Sequence, residues 1–234
     1  MSLSRKQFVS ATALGISAAA IGLEPTVADA QGRAPLTFHI LKPTQYDRAA
    51  MLRTLKSGGA NKQVFQSVSP LVVAPGIASL YIHMQNSMNA FEFSMGTGKL
   101  STLAVVLGPS IIWALNDSMW SKYGIGTAFN LDATNDYYKA SSNLNLGAVP
   151  DDPNGIYQDW SAQAVLKRGG KFFVCHNAMT AVALVIASKM TGATPGGVLA
   201  DFEKNVLPGF LVVPAGVAAV QQAQEYGWKP FAII

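Results

Sequence analysis

From residue 36 onward the chain alternates short strand-like runs with longer helical ones, and this alternation limits the fold more than any other feature. "LTFHILKP" (36–43), "LSTLAVVLG" (100–108), "KFFVC" (171–175), "FLVVPAG" (210–216) and "WKPFAII" (228–234) are rich in β-branched and aromatic residues. Between them lie helix-length stretches. Thr44 is of the capping type before "QYDRAAMLRTLK", which Gly58 and Gly59 stop. In 77–95, Ile77, Leu80, Tyr81, Met84, Met88, Phe91 and Met95 recur at helical spacing. Pro109 and Ser110 open "PSIIWALNDSMWSKYG", with the proline at a permitted first-turn position. "NGIYQDWSAQAVLKRGG", "NAMTAVALVIASKM", "TPGGVLADFEKNVLPG" and "VAAVQQAQEYG" complete the set, the second apolar nearly all round. Strands that alternate with helices in this way predict an α/β fold, with a mostly parallel sheet covered on both faces.

Three segments fall outside the rhythm. "NKQVFQSVSPLVVAPG" (61–76) carries two prolines and reads as irregular. "GTGKLST" (96–102) contains Gly-Lys but precedes a strand, whereas a phosphate-binding loop follows one, so it reads as a turn. Residues 124–153 are crowded with Asn, Asp, Gly and Ser and are long for a loop, which marks them as a functional or interface insertion. Asp132, Asp136, Asp151 and Asp152 within it read as a solvated loop rather than a cation site. There is no internal repeat and no second domain.

The N-terminus has the three-part layout of an export signal. Arg5-Lys6 precedes an uncharged stretch from Phe8 to Leu23, and Ala28-Asp29-Ala30 supplies a small-x-small cleavage site. "SRKQF" resembles a twin-arginine signal with Lys6 in the second arginine position, and the general secretory route is the alternative. The expectation is a signal over 1–30 and one domain over 31–234, outside the cytoplasm and not membrane-bound after cleavage. Half of the residues are hydrophobic and 13% are charged, enough for a large core without disulfides. The net charge of +4 is scattered rather than clustered, which argues against a nucleic-acid partner.

The chain has one cysteine, Cys175, and no intramolecular disulfide is open to it. In an oxidising compartment such a thiol is buried, paired with another molecule, or chemically used. Cys175 ends "KFFVC", and ligands of parallel α/β sheets sit beyond the carboxyl ends of the strands. Asn177 is of the N-cap type for the next helix, whose free N–H groups and positive dipole end would lie near the sulfur. Such settings favour the thiolate, which is the nucleophile. Free cysteine is also among the most buried residue types, so reactive and inert roles both stay open.

"VVLGPSIIWALND", "LKRGGKFFVCHNAM" and "VVPAGVAAVQQAQEYGWKPF" together resemble the DsrE/DsrF-like family, over roughly residues 100–123 and 160–234. The match is nearest to the exported members. The resemblance implies a flavodoxin-like three-layer sandwich that assembles as trimers or hexamers. It also implies that Cys175 accepts a sulfane sulfur as a persulfide, from a donor protein or a small sulfur compound. The expected function is therefore a sulfane-sulfur carrier or sulfurtransferase with no cofactor. Cys175 would be the nucleophile, His176 and Asn177 would lie beside it, and Gly108 and Ser110 would shape the same crevice. Two other classes stand beside it. One is a non-catalytic oligomeric binding or scaffold protein with a buried thiol. The other is a haem or metal protein using His83, Met84 and Met88. No paired-cysteine or paired-histidine spacing supports the metal reading, and methionines at helical spacing more often fill a core.

Overall fold

The computed structural model describes residues 37–74, 77–131, 157 and 159–233. The expected export signal and most of the 124–153 segment lie outside the described residues, and the fold below is that of the unit spanning 38–234.

At its centre is a parallel sheet that has, among the described residues, five strands. These are β1 (Lys62–Ser67), β4 (Ser101–Val106), β5 (Lys171–Cys175), β6 (Phe210–Val213) and β7 (Lys229–Ile233). A separate antiparallel pair, β2 (Val72–Ala74) and β3 (Ile77–Ala78), follows β1. The sheet order is β6-β5-β4-β1-β7, so β1, β4, β5 and β6 step outward one way and β7 returns to the far side of β1. With helices on both faces, this is the α/β fold with a covered parallel sheet that the alternation predicts, and it is consistent with the flavodoxin-like three-layer sandwich that the resemblance implies.

The pleat assigns the faces. Along β4, Thr102 contacts Met88 of α2 (Ser79–Asn89), whereas Val105 packs under Gly216 of α8 (Gly216–Glu225). Residues an odd number apart on a strand point to opposite faces, so α2 and α8 cover opposite sides of the sheet. Val64, Phe65, Ala104, Val105, Phe172 and Phe173 are buried between them. Phe172 stacks on Phe210 with ring centroids 4.2 Å apart. Trp228, just before β7, donates its indole N–H to the Leu55 carbonyl of α1 (Arg48–Lys56) at 2.9 Å.

The helix starts follow the capping rules, with shifts from the sequence expectation. Asp47, not Thr44, caps α1 by accepting the Ala50 N–H. The stretch opened by Pro109 divides in two. Gly108–Ala114 is a 3-10 helix, and α3 (Asp117–Tyr123) starts afresh behind the Asn116 cap. Gly124 closes α3 in the left-handed conformation, and the short α4 (Ile125–Ala128) follows, so the first part of the insertion is helical. Ser161 caps α5 (Ala162–Lys167), and Thr194 caps α7 (Pro195–Lys204).

Two expectations are corrected. The described part of 36–43 is not a strand: Ile40 is 88% exposed and pairs with no strand among the described residues, so its β-branched side chain has no buried face to fill. This leaves His39 in irregular chain. Conversely, "KQVFQS" is not irregular but forms β1, hydrogen-bonded to both β4 and β7. Pro70 lies beyond its end and interrupts no ladder bond.

Candidate functional site

Cys175 is the last residue of β5 and pairs in register with Val213 of β6. The chain then turns directly into α6 (His176–Lys189), a helix of 14 residues. The N-cap is Cys175 itself, with extended backbone angles, and its Sγ accepts the Ala178 N–H at 3.4 Å. Asn177 is the second helical residue, which corrects its expected role as the cap. The other side-chain caps described here, Asp47, Asn116, Ser161 and Thr194, use oxygen; α6 uses sulfur. A neutral thiol is a weaker acceptor than any of them.

A second helix start meets the same residue. A Cβ built on Gly216, the first residue of α8, would lie 3.0 Å from the Cys175 Cβ and 2.9 Å from that of Leu107. Glycine there lets α8 begin directly against the end of β5 and the residue after β4. Two helix N-termini therefore converge on the thiol, and an anion formed at this sulfur would meet an N–H donor and two positive dipole ends. Cys175 is 6% exposed, so the residue is buried rather than set in the open crevice that sequence position suggested.

His176 and Asn177 flank the thiol along the chain but serve different contacts. The buried His176 bonds through Nε2 to Glu203 Oε1 of α7 at 2.7 Å, and its Nδ1 has no partner among the described residues. The Asn177 N–H donates to the Pro214 carbonyl at 3.4 Å, tying α6 to the loop after β6, while its Oδ1 is buried without a partner among the described residues. Orphaned buried polar atoms are uncommon, and two on consecutive residues beside a cysteine mark an unusual locus.

Gly108 and Ser110 sit one strand away, and their polar groups are committed to the end of β1. The Ser110 hydroxyl lies 2.5 Å from the Ser67 carbonyl and 2.9 Å from that of Leu107. Gly108 has φ +58°, and a Cβ there would come within 3.0 Å of the Val68 carbonyl. Leu107, between β4 and Gly108, is the residue that reaches the thiol's surroundings through Gly216. Met84 and Met88 are core residues, and His83 packs edge-on against Phe231 at 5.6 Å. Among the described residues no cluster of His, Cys, Asp or Glu could hold a metal ion, and no helix is long and apolar enough to cross a membrane.

Two polar networks were not legible in the sequence. Arg168, after α5, bonds Gln85 and Asn89 at 2.7 Å each and Glu92 at 3.1 Å, and its guanidinium covers the Tyr157 ring at 4.0 Å. Gln85 and Asn89 in turn hold the Asp159 and Tyr157 carbonyls, fixing the chain that leads into α5. Burial lowers the Arg168 pKa, with Glu92 opposing the shift. On the surface, Asp201 accepts from Lys122 and from Tyr123, joining α3 to α7. The side chains that Arg168 and Asp201 bond lie 76 to 83 residues from them along the chain, beyond any local pattern. The same holds for His176 and Glu203, 27 residues apart.

No family model matches the chain, and no curated protein matches it.

Proposed function

We propose that the chain is an exported, DsrE-like sulfur-handling protein that carries a sulfane sulfur on Cys175. The observation that carries this reading is the use of the single thiol as the N-cap of α6, at the carboxyl end of β5 and against the start of α8. Serine or aspartate would cap that helix better. A thiol at this point is explained by chemistry rather than by capping.

In the reaction, the Cys175 thiolate attacks a terminal sulfur of a polysulfide dianion. The Cys175 S–S bond forms, the adjacent sulfur–sulfur bond of the donor breaks, and the donor leaves as a dianion one sulfur shorter. The persulfide keeps one negative charge, which the Ala178 N–H and the two helix ends are placed to hold. An acceptor thiolate reverses the step. Assembly as a trimer or hexamer and export by the twin-arginine route belong to the same proposal. They rest on the resemblance and on the N-terminal signal pattern.

A second reading has its own support in the low exposure of Cys175: a buried thiol that caps a helix in a non-catalytic oligomer. Alkylation of the folded protein by iodoacetamide at neutral pH separates the two. Labelling of native protein at a rate near that of a free thiol supports sulfur transfer. Labelling only after denaturation supports the structural thiol.

A further inference from the structure

Cys175 is buried, so sulfur transfer at its thiol requires part of its cover to move. Two helix starts form that cover, and they are held in different ways. The start of α8 packs through Gly216 against the apolar side chains of Val105 and Leu107. Among the described residues it carries no buried side-chain polar atom without a partner.

The first turn of α6 carries two, His176 Nδ1 and Asn177 Oδ1. A buried polar atom left unpaired costs its lost hydration, and water satisfies it once the turn opens. Both atoms therefore favour opening. The main polar contact against it is the bond from His176 Nε2 to Glu203 Oε1, at 2.7 Å. A carboxylate only accepts, so Nε2 carries the hydrogen and the bond is charge-assisted. The other ties are weaker. The Asn177 N–H reaches the Pro214 carbonyl at 3.4 Å, and the Ala178 N–H reaches the Cys175 sulfur at 3.4 Å. Thr180 Oγ1 donates to the His176 carbonyl within the same helix, which holds the turn to nothing outside it. Glu203 itself is 45% exposed, next to the last residue of α7, so water competes for its carboxylate.

From this we infer that the His176–Glu203 bond is a latch on the thiol. Closed, it keeps the first turn of α6 over Cys175. Released, the turn opens locally, hydrates Nδ1 and Oδ1 and presents the sulfur to its donor. On reclosing, the Ala178 N–H returns to the sulfur. The latch's role rests on the sulfur-carrier reading; its geometry does not.

The test is the rate at which iodoacetamide labels the folded full chain at neutral pH, read by intact mass across low urea. When the turn recloses faster than the thiol reacts, that rate is the free-thiol rate multiplied by the open fraction. Local opening exposes little surface, so wild type should label several-fold more slowly than a free thiol and almost independently of urea. Glu203→Ala should raise the rate about fivefold, because it removes a charge-assisted bond and leaves the Nε2–H unpaired as well. Glu203→Gln, whose carboxamide oxygen still accepts from Nε2, should return most of the way to wild type. Asp201→Asn alters the contact of the same helix with α3 and should leave the rate unchanged. The latch is overturned if folded Glu203→Ala labels at the wild-type rate, or if Asp201→Asn speeds labelling as much. It is also overturned if wild type already labels as fast as a free thiol. Failure of the sulfur reading looks different: wild type gains no sulfur from polysulfide while Glu203→Ala still labels faster.

Discussion

Gly108 and Gly124 form a matched pair that isolates one contact at the carboxyl end of the sheet. Their φ angles are +58° and +55°, so alanine meets nearly the same backbone penalty at both. For an L-residue the left-handed region costs about 1–2 kcal/mol. Loss of glycine's freedom in the unfolded chain returns about 0.4–1 kcal/mol. Gly124→Ala has nothing within 4 Å of its new methyl, so it should destabilise by about 1 kcal/mol. At Gly108 the methyl would lie 3.0 Å from the Val68 carbonyl oxygen. That oxygen accepts the Ser110 N–H at 3.1 Å, and the Val68 N–H is bonded to Ile233 at 3.0 Å. Val68 is thus held from both sides and cannot retreat freely, and overpacking of this kind adds about 1–3 kcal/mol. The expected total for Gly108→Ala is about 2–4 kcal/mol, or roughly 4–16 °C in melting temperature for a chain of this size. Urea unfolding of both variants with the same m-value measures the difference. If Gly108→Ala costs no more than Gly124→Ala, the close approach of β1 to the β4 turn is wrong.

Arg168→Met should cost about 2 kcal/mol, because it strips the donor from Gln85, Asn89 and Glu92 and leaves partly buried acceptors unpaired; chemical denaturation measures it. Hydrogen bonds from Lys122 and Tyr123 lower the Asp201 pKa. A depressed carboxylate stabilises the fold above its unfolded value, near pH 4, and loses that contribution as pH falls through the folded value. Asp201→Asn should therefore flatten the acid side of the stability–pH curve, and an unchanged slope would refute the linkage. Cys175→Ser should keep the native circular dichroism and shift stability by no more than about 1 kcal/mol, since a hydroxyl is the better cap but the poorer buried group. A larger loss would place the thiol in the core role alone.

The elements with an unmixed local signal were readable in advance. "KFFVC" is β5 to the residue, and "FLVV" within "FLVVPAG" is β6. The misjudged strands show what composition omits. Val64 and Phe65 are fully buried in β1, but they sit between glutamines in a segment whose later prolines give it the composition of irregular chain. Ile40 has the right chemistry for a strand but is 88% exposed and joins no strand among the described residues. For the site, the sequence placed Cys175 at a strand end ahead of a helix, because both apolar runs are local. It could not show that α8 begins against the same residue, since Gly216 and Cys175 meet only through the β5–β6 pairing. Nor could it show the low exposure of the sulfur, which depends on that second helix.

The central claim is that Cys175 carries sulfur in the folded protein. Native protein treated with polysulfide, freed of excess donor and weighed intact should gain one sulfur atom per chain. The gain should be removed by a reducing thiol and be absent in Cys175→Ser. A folded wild-type protein that gains no sulfur, or a Cys175→Ser protein that gains as much, would contradict it.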